Sequence, residues 1–309
     1  MLGLRGALSA GAWFCRALLV VGACACVGAL AEPVEDGELV GPLAPQLPVY
    51  VQYLEGRAWI VDARGAETAL REGMLVDDKE GIRTEDSTFV SLVSGDGSRI
   101  VLPSSSQVEL HWEEEHERLQ IMLRQGQVES YVRKQAEDDE HYQVLTPVGV
   151  LGVRGTHFRV RIAEGETRSL SEVLEGGVAA RRVDDEQSAV LVGARQGLNL
   201  LPQGELRPVE LLPAPRLLGQ GGRDMSSGNW TLLLQPLPGA TRYRVQLASD
   251  EQFLRIRQER FSETPSVNFS GLPVDTYHVR LSAFDDNGLE GMTSVYQILY
   301  LPAWRRNAP

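Results

Sequence analysis

Five histidines, His111, His116, His141, His157 and His278, are the first places to look for metal-binding or acid–base chemistry in this sequence. His111 and His116 flank Trp112-Glu113-Glu114-Glu115, but a spacing of five puts them on opposite faces of a strand, where successive side chains alternate. They read as the edge of a solvated acidic hairpin. His141 follows Glu137-Asp138-Asp139-Glu140, a charged loop, while His157 and His278 sit in alternating stretches as half-buried strand residues. Asp285-Asp286-Asn287-Gly288 opens like a calcium loop but lacks the later ligands and the closing bidentate glutamate, so it reads as a turn. No Gly-x-Ser-x-Gly elbow, phosphate-binding Gly-Lys-Ser/Thr loop or His-Glu-x-x-His helix occurs. All three cysteines, Cys15, Cys24 and Cys26, fall within the first 31 residues. The expectation is a non-enzymatic protein with no catalytic residues, no metal and no cofactor.

Those first 31 residues differ from the rest. Arg5 and Arg16 precede an apolar run from Ala17 to Ala31, and the stretch has no Asp or Glu. The run falls short of the ~20 residues a helix needs to cross a bilayer, and Ala29-Leu30-Ala31 offers the small residues of a cleavage site. This predicts a signal peptide over 1–31, cut after Ala31, and a mature protein without thiols. Val21-Gly22-Ala23-Cys24 resembles a lipobox and is the alternative, an outer-membrane lipoprotein anchored through Cys24. The whole chain carries 30 basic and 42 acidic residues, a net charge of −12. Losing Arg5 and Arg16 with the leader makes the remainder more acidic still, a surface that repels nucleic acid and anionic lipid.

After a leader segment at 32–48 the pattern alternates and is punctuated by glycine, with no sustained helical period. Phe89–Val93, the turn Ser94–Ser98 and the strand with Ile100 and Leu102 read as a hairpin. Leu119, Ile121 and Leu123 share a face, Gln125-Gly126 is expected to turn the chain, and Val128 with Val132 marks the return. Phe158, Val160 and Ile162 point inward, with Arg159 and Arg161 on the wet side; Val173 to Val178 reads as another turn-bearing pair. A Leu-, Pro-, Gly- and Ser-rich joint at 203–228 separates this region, 49–202, from a second one at 229–302, with a tail at 303–309. About six strands in the second region, with a first strand expected near Val209–Leu212, suit a small antiparallel sandwich. Trp230, Phe253 and Tyr277 read as its core anchors.

The run Thr146-Pro147-Val148-Gly149-Val150-Leu151-Gly152-Val153-Arg154-Gly155-Thr156-His157-Phe158-Arg159-Val160 resembles the signature of the FecR domain. That signature has a Thr-Pro pair before an Arg-Gly-Thr turn and a Phe-x-Val strand. Gly56, Gly73-Met74-Leu75, Gly81-Ile82-Arg83-Thr84, Asp96-Gly97-Ser98, Leu123 with Gly126, and Glu175-Gly176 with Val178 follow the same family in order. The second region resembles the fibronectin-type-III-like domain found after FecR domains in exported proteins. The resemblance implies an all-β fold, a FecR-like domain of β-solenoid or sandwich type followed by a small sandwich. Arg154 could present a guanidinium to a carboxylate or glycan, but the reading carried forward is structural, Gly155 permitting a tight turn that Thr156 caps. FecR regulators carry a cytoplasmic sigma-factor-binding segment before a membrane helix; only 16 residues precede Ala17 here, so that function is not expected of this chain alone. The expectation is instead a periplasmic or envelope-associated scaffold that binds another envelope protein. The alternatives are binding of peptidoglycan or exopolysaccharide, which would draw on Trp59, Trp112 or Trp304, and a sensory role beside a separate membrane partner.

Overall fold

The computed structural model describes residues 49–134, 140–162, 165, 167–221 and 229–300. Ala29, Ala31, Cys24 and Trp304 lie outside them. Every regular element among the described residues is a strand, so the all-β reading stands. The chain winds back and forth between two sheets. Strand β1 (Val49–Glu55) lies in the first, β2 (Ala58–Val61) and β3 (Glu67–Ala69) in the second, β4 (Leu75–Val76) in the first and β5 (Gly81–Thr84) in the second. Strands β6 (Phe89–Val93) and β7 (Arg99–Leu102) return to the first, and β8 (Gln107–Glu113) to the second. Strand β9 (Arg118–Tyr131) begins in the second sheet against β8 and ends in the first against β7. Then β10 (Tyr142–Thr146) and β11 (Gly149–Val153) lie in the second, β12 (His157–Ile162) and β13 (Ser169–Glu175) in the first. Strands β14 (Gly177–Arg182) and β15 (Asp185–Gly193) follow in the second, and β16 (Gln196–Leu200) and β17 (Val209–Glu210) in the first. Pairing is antiparallel throughout, except that β9 and β10 run parallel. The result is a two-layered stack, wound like a solenoid and packed like a sandwich, with open ends. Alternating residues of both layers, among them Val90, Leu92, Leu110, Ile121, Tyr142, Phe158, Val160 and Val178, form one buried core.

The crossings between layers explain where the sequence reading slipped. Gln125-Gly126 does not reverse the chain; β9 runs straight through it and changes sheet. Gly126 has φ +81, and a Cβ there would lie 2.5 Å from the Ser105 carbonyl oxygen, so only glycine can make this close corner. The next amide, Gln127 N, donates to Ser106 Oγ at 3.0 Å, satisfying a donor that leaves the ladder. The same bond recurs after Gly56, where Arg57 N donates to Thr88 Oγ1 (3.0 Å), and after Gly176, where Gly177 N donates to Thr156 Oγ1 (3.3 Å). Accordingly β13 and β14 are not a hairpin: Gly176 carries the chain from one layer to the other. The Phe89–Leu102 hairpin forms as expected, its turn held by Asp96, which accepts from Ser98 N (2.8 Å), Ser94 Oγ and Ser98 Oγ.

The second sandwich is smaller. Strands β18 (Leu217–Gly221), β19 (Trp230–Leu234), β20 (Arg242–Ala248), β21 (Ile256–Ser262), β22 (Ser266–Phe269), β23 (Asp275–Phe284) and β24 (Ser294–Tyr300) make a three-stranded sheet, β18-β19-β22, and a four-stranded one, β21-β20-β23-β24. Trp230 and Tyr277 anchor the core between them, with Phe269 and Tyr300 around the indole. The first strand is β18, not Val209–Leu212: Val209 and Glu210 pair with β16 of the larger sandwich, and Leu211 packs with Leu170 and Leu289.

Candidate functional site at the junction of the two sandwiches

A strand with one wet face alternates buried and exposed, yet β6, β12, β13, β20 and β23 are buried on both faces over most of their length. Their second faces meet. Phe253 is not an anchor of the small sandwich's own core; with φ +55 it projects into a cluster of Phe89, Val101, Ala248, Leu254 and Ile256 drawn from both sandwiches. Arg159, read from sequence as solvent-facing, is 1% exposed, and Arg161 is largely covered.

What these arginines meet is a chain of ion pairs. Arg280 on β23 grips Glu129 on β9 with both terminal nitrogens (2.7 and 2.8 Å), and its Nε donates to Gln246 Oε1 at 2.8 Å. Glu129 also takes a bond from His157 Nε2 (2.8 Å) and from the Tyr131 hydroxyl (3.0 Å). Gln246 Nε2 donates to Glu259 (2.8 Å), and Glu259 pairs with Arg244, whose Nη1 donates to Glu290 at 2.9 Å. Glu290 in turn binds Arg159 at 2.8 Å and accepts from Ser282 Oγ. Arg159 Nη2 also donates to the carbonyls of Glu290 and Gly291, both at 2.8 Å, and Glu290 N donates to Glu172 at 3.0 Å. The Asp285–Gly288 turn docks here too, offering the Gly288 carbonyl to Arg161 and the Asn287 carbonyl to Arg168.

The carboxylates differ in electrostatics. Burial alone would raise the Glu129 carboxyl, but Arg280, with the His157 bond beside it, holds it well below the usual carboxylate range. The same contest at Glu290 is settled by Arg159 and Arg244, which bring it to about 2. At Glu172 burial prevails: Arg159 and Arg161 stand 3.8 Å away, too far to offset it, and its carboxyl is pushed up. The Arg280–Glu129 and Arg159–Glu290–Arg244 pairs thus form a clamp between the two sandwiches. Among the described residues no cluster of His, Cys, Asp or Glu has the arrangement of a metal site.

The Thr-Pro residues close the β10–β11 hairpin within the second sheet, and the Arg-Gly-Thr residues lie at the β11–β12 layer crossing. Thr146 Oγ1 donates to Gly149 O (3.0 Å) and accepts from Gly149 N (3.1 Å), closing the Thr146-Pro147-Val148-Gly149 turn. Gly155 has φ +63; Thr156 Oγ1 donates to Gly177 O at 2.8 Å and ties the β11–β12 crossing to the β13–β14 crossing. Phe158 is fully buried, edge-on to Tyr142. Arg154 is exposed. His157 stacks on Tyr131 with centroids 3.9 Å apart. His111 bonds Asp78 and His116 bonds Glu113, on strand β8 and the tip of the β8–β9 hairpin. Trp59 is half-buried and donates to Glu85 at 2.9 Å, and Trp112 packs on the main core. Beside Gly155 a cleft of about 450 Å³ is lined by Gly97, Arg99, Tyr131, Arg133, His157 and Glu175, among others.

The ordered crossings and their Arg-Gly-Thr turn find their counterpart in a known family. Residues 80–179 match the family described as FecR protein. The FecR segment therefore runs from the turn before β5 into β14; it holds the whole Thr146–Phe158 motif and both Glu129 and Glu172, while Gly56 and Gly73 precede it. No curated protein matches the chain. Two crystal structures described as an anti-sigma factor from Parabacteroides distasonis align at 16% identity and TM-score 0.36, covering 42% of this chain and 59% of theirs. The chain thus spans about three-fifths of the length of those proteins. The extracellular domain described as that of a one-component system from B. thetaiotaomicron aligns at 11% identity and TM-score 0.19, covering 87% of this chain and 51% of that one. No helix among the described residues is long and apolar enough to cross a membrane.

Proposed function

We propose that this chain is an exported FecR-type envelope protein that works by contact, offering the open edge of its larger sandwich to a strand of another protein. The observation that carries this is β15. Among the described residues, its nine residues pair on one side only, with β14. Its apolar run Ala189-Val190-Leu191-Val192 has no charge or proline to guard the edge, and Leu191 is 73% exposed. The other ends of the stack are blunted by shortness: β3 has three residues, β4 and β17 two each. An exposed edge recruits an extended segment through main-chain hydrogen bonds, with alternate side chains setting specificity. The FecR match supports a signalling role for that contact, and the pairing of Glu129 and Glu290 with buried arginines supports binding over catalysis. On this reading 49–202 is the FecR-like unit and 229–302 a fibronectin-type-III-like sandwich that begins with β18 inside the joint. Thr146 and Pro147 serve the β10–β11 turn, and Gly155, Thr156 and Phe158 the β11–β12 crossing. The leader is removed after Ala31, leaving a periplasmic protein.

The test is affinity isolation with crosslinking from envelope extracts, using the chain and its Leu191→Lys variant, which sets a charge on the edge without touching the core. The expected result is one protein retained by the parent and lost by the variant at an unchanged melting temperature. Equal retention by both, or no specific adduct, would rule the edge out.

A further inference from the structure

The cleft beside Gly155 runs against the charge of the chain. Its lining includes Arg99 and Arg133. Lys134 touches Gly155, where an added Cβ would come within 2.6 Å of the lysine Cβ, and Arg154 is its chain neighbour on the other side. In a chain of net charge −12, the described lining sets two arginines against one carboxylate, Glu175. The two lining arginines are held in place. Arg99 lies over the Tyr131 ring, 5.2 Å from its centroid, with Nη1 donating to Gln252 Oε1 and its other nitrogens left for the cleft, and Tyr131 stacks on His157. Arg133 is anchored through its amide on Ser98 Oγ (3.0 Å), with Nη1 near the Asp96 carbonyl (3.4 Å). The Tyr131 hydroxyl and His157 Nε2 are both committed to Glu129, so what their stack adds to the cleft is ring surface.

We infer that this cleft binds a hexuronate unit of an acidic polysaccharide. Held guanidinium forks match a carboxylate bidentately. The Tyr131–His157 rings suit the C–H face of a pyranose, and Glu175 accepts from sugar hydroxyls. The volume, within the roughly 300–1,000 Å³ of small-ligand pockets, admits a sugar ring. An acidic peptide would favour an open strand edge for its main chain, whereas turns and strand ends wall this cleft. None of Trp59, Trp112 or the β15 edge takes part, so the inference stands or falls apart from the strand-edge reading.

The experiment is titration calorimetry of the full chain with tetragalacturonate, with a neutral galactose oligomer and with triglutamate, at low and at raised salt. Binding of tetragalacturonate alone, weakened by salt and at least tenfold weaker in both Arg133→Gln and Arg99→Gln, is expected. Arg83→Gln, on the separate cleft beside Thr84, is expected to bind as the parent does. No heat with tetragalacturonate, equal binding by Arg133→Gln, or equal binding of the neutral oligomer or of triglutamate would overturn it.

Discussion

Two buried glutamates of the clamp should respond in opposite ways to the same change. Glu129→Gln leaves Arg280 buried without a counter-charge, and breaking such a pair costs about 3–5 kcal/mol. Glu172→Gln keeps an acceptor for Glu290 N while removing a carboxylate whose ionisation burial disfavours, so it should be neutral or mildly stabilising. Denaturant melts at pH 7 compare the two directly. The pH dependence follows from the same balance. Glu129 and Glu290 have native values below the unfolded one, so their stabilisation is present above about 4.5 and is lost as pH falls through those native values, about 2 for Glu290. Glu172 acts with the opposite sign, its protonation at falling pH relieving a cost. Acid titration of stability should show a net loss between those limits, and Glu290→Gln should flatten it. The sequence made the alternation of β12 legible, and with it which residues face the strand's own core. It could not tell that a second sheet covers Arg159 and Arg161, because alternation marks two faces and says nothing of what lies over the polar one. The available signal was complementarity at a distance: Arg244 and Arg280 alternate with apolar residues in the second region as Glu129 and Glu172 do in the first.

At the scale of elements, the layer crossings rest on a glycine followed by an amide that bonds a Ser or Thr hydroxyl of the neighbouring crossing. Gly126→Ala should cost about 2 kcal/mol or more, since it adds contact with the Ser105 carbonyl to a left-handed backbone. Gly65→Ala, at φ +82 with nothing within 4 Å of the new Cβ, should cost only about 1 kcal/mol of backbone strain. Equal losses in thermal melts would show that the corner is not tight. Glycine in the sequence marks a change of direction but not its kind, which is why Gly126 and Gly176 read as hairpin turns. The Ser94–Ser98 turn was legible because Gly95-Asp96-Gly97 sits between two alternating runs of matching length. The Val209–Glu210 strand was misassigned because proline-rich flanks look like a joint, although these two residues finish the larger sandwich.

At the scale of the whole molecule, two sandwiches of separate cores should behave as one body, locked by the Glu129–Arg280 and Arg159–Glu290–Arg244 pairs and by Phe253 in its apolar seat. Domains joined by small polar interfaces ordinarily move and melt separately. Here the partners are buried, charged and paired across the junction, so either sandwich left alone would expose them. The most direct measurement is scanning calorimetry of the chain beside its Arg280→Met variant. One transition is expected for the parent, with calorimetric and van't Hoff enthalpies in agreement, and a midpoint lowered by roughly 10 °C in the variant. Two resolved transitions in the parent, or a variant in which only the smaller transition moves, would contradict it.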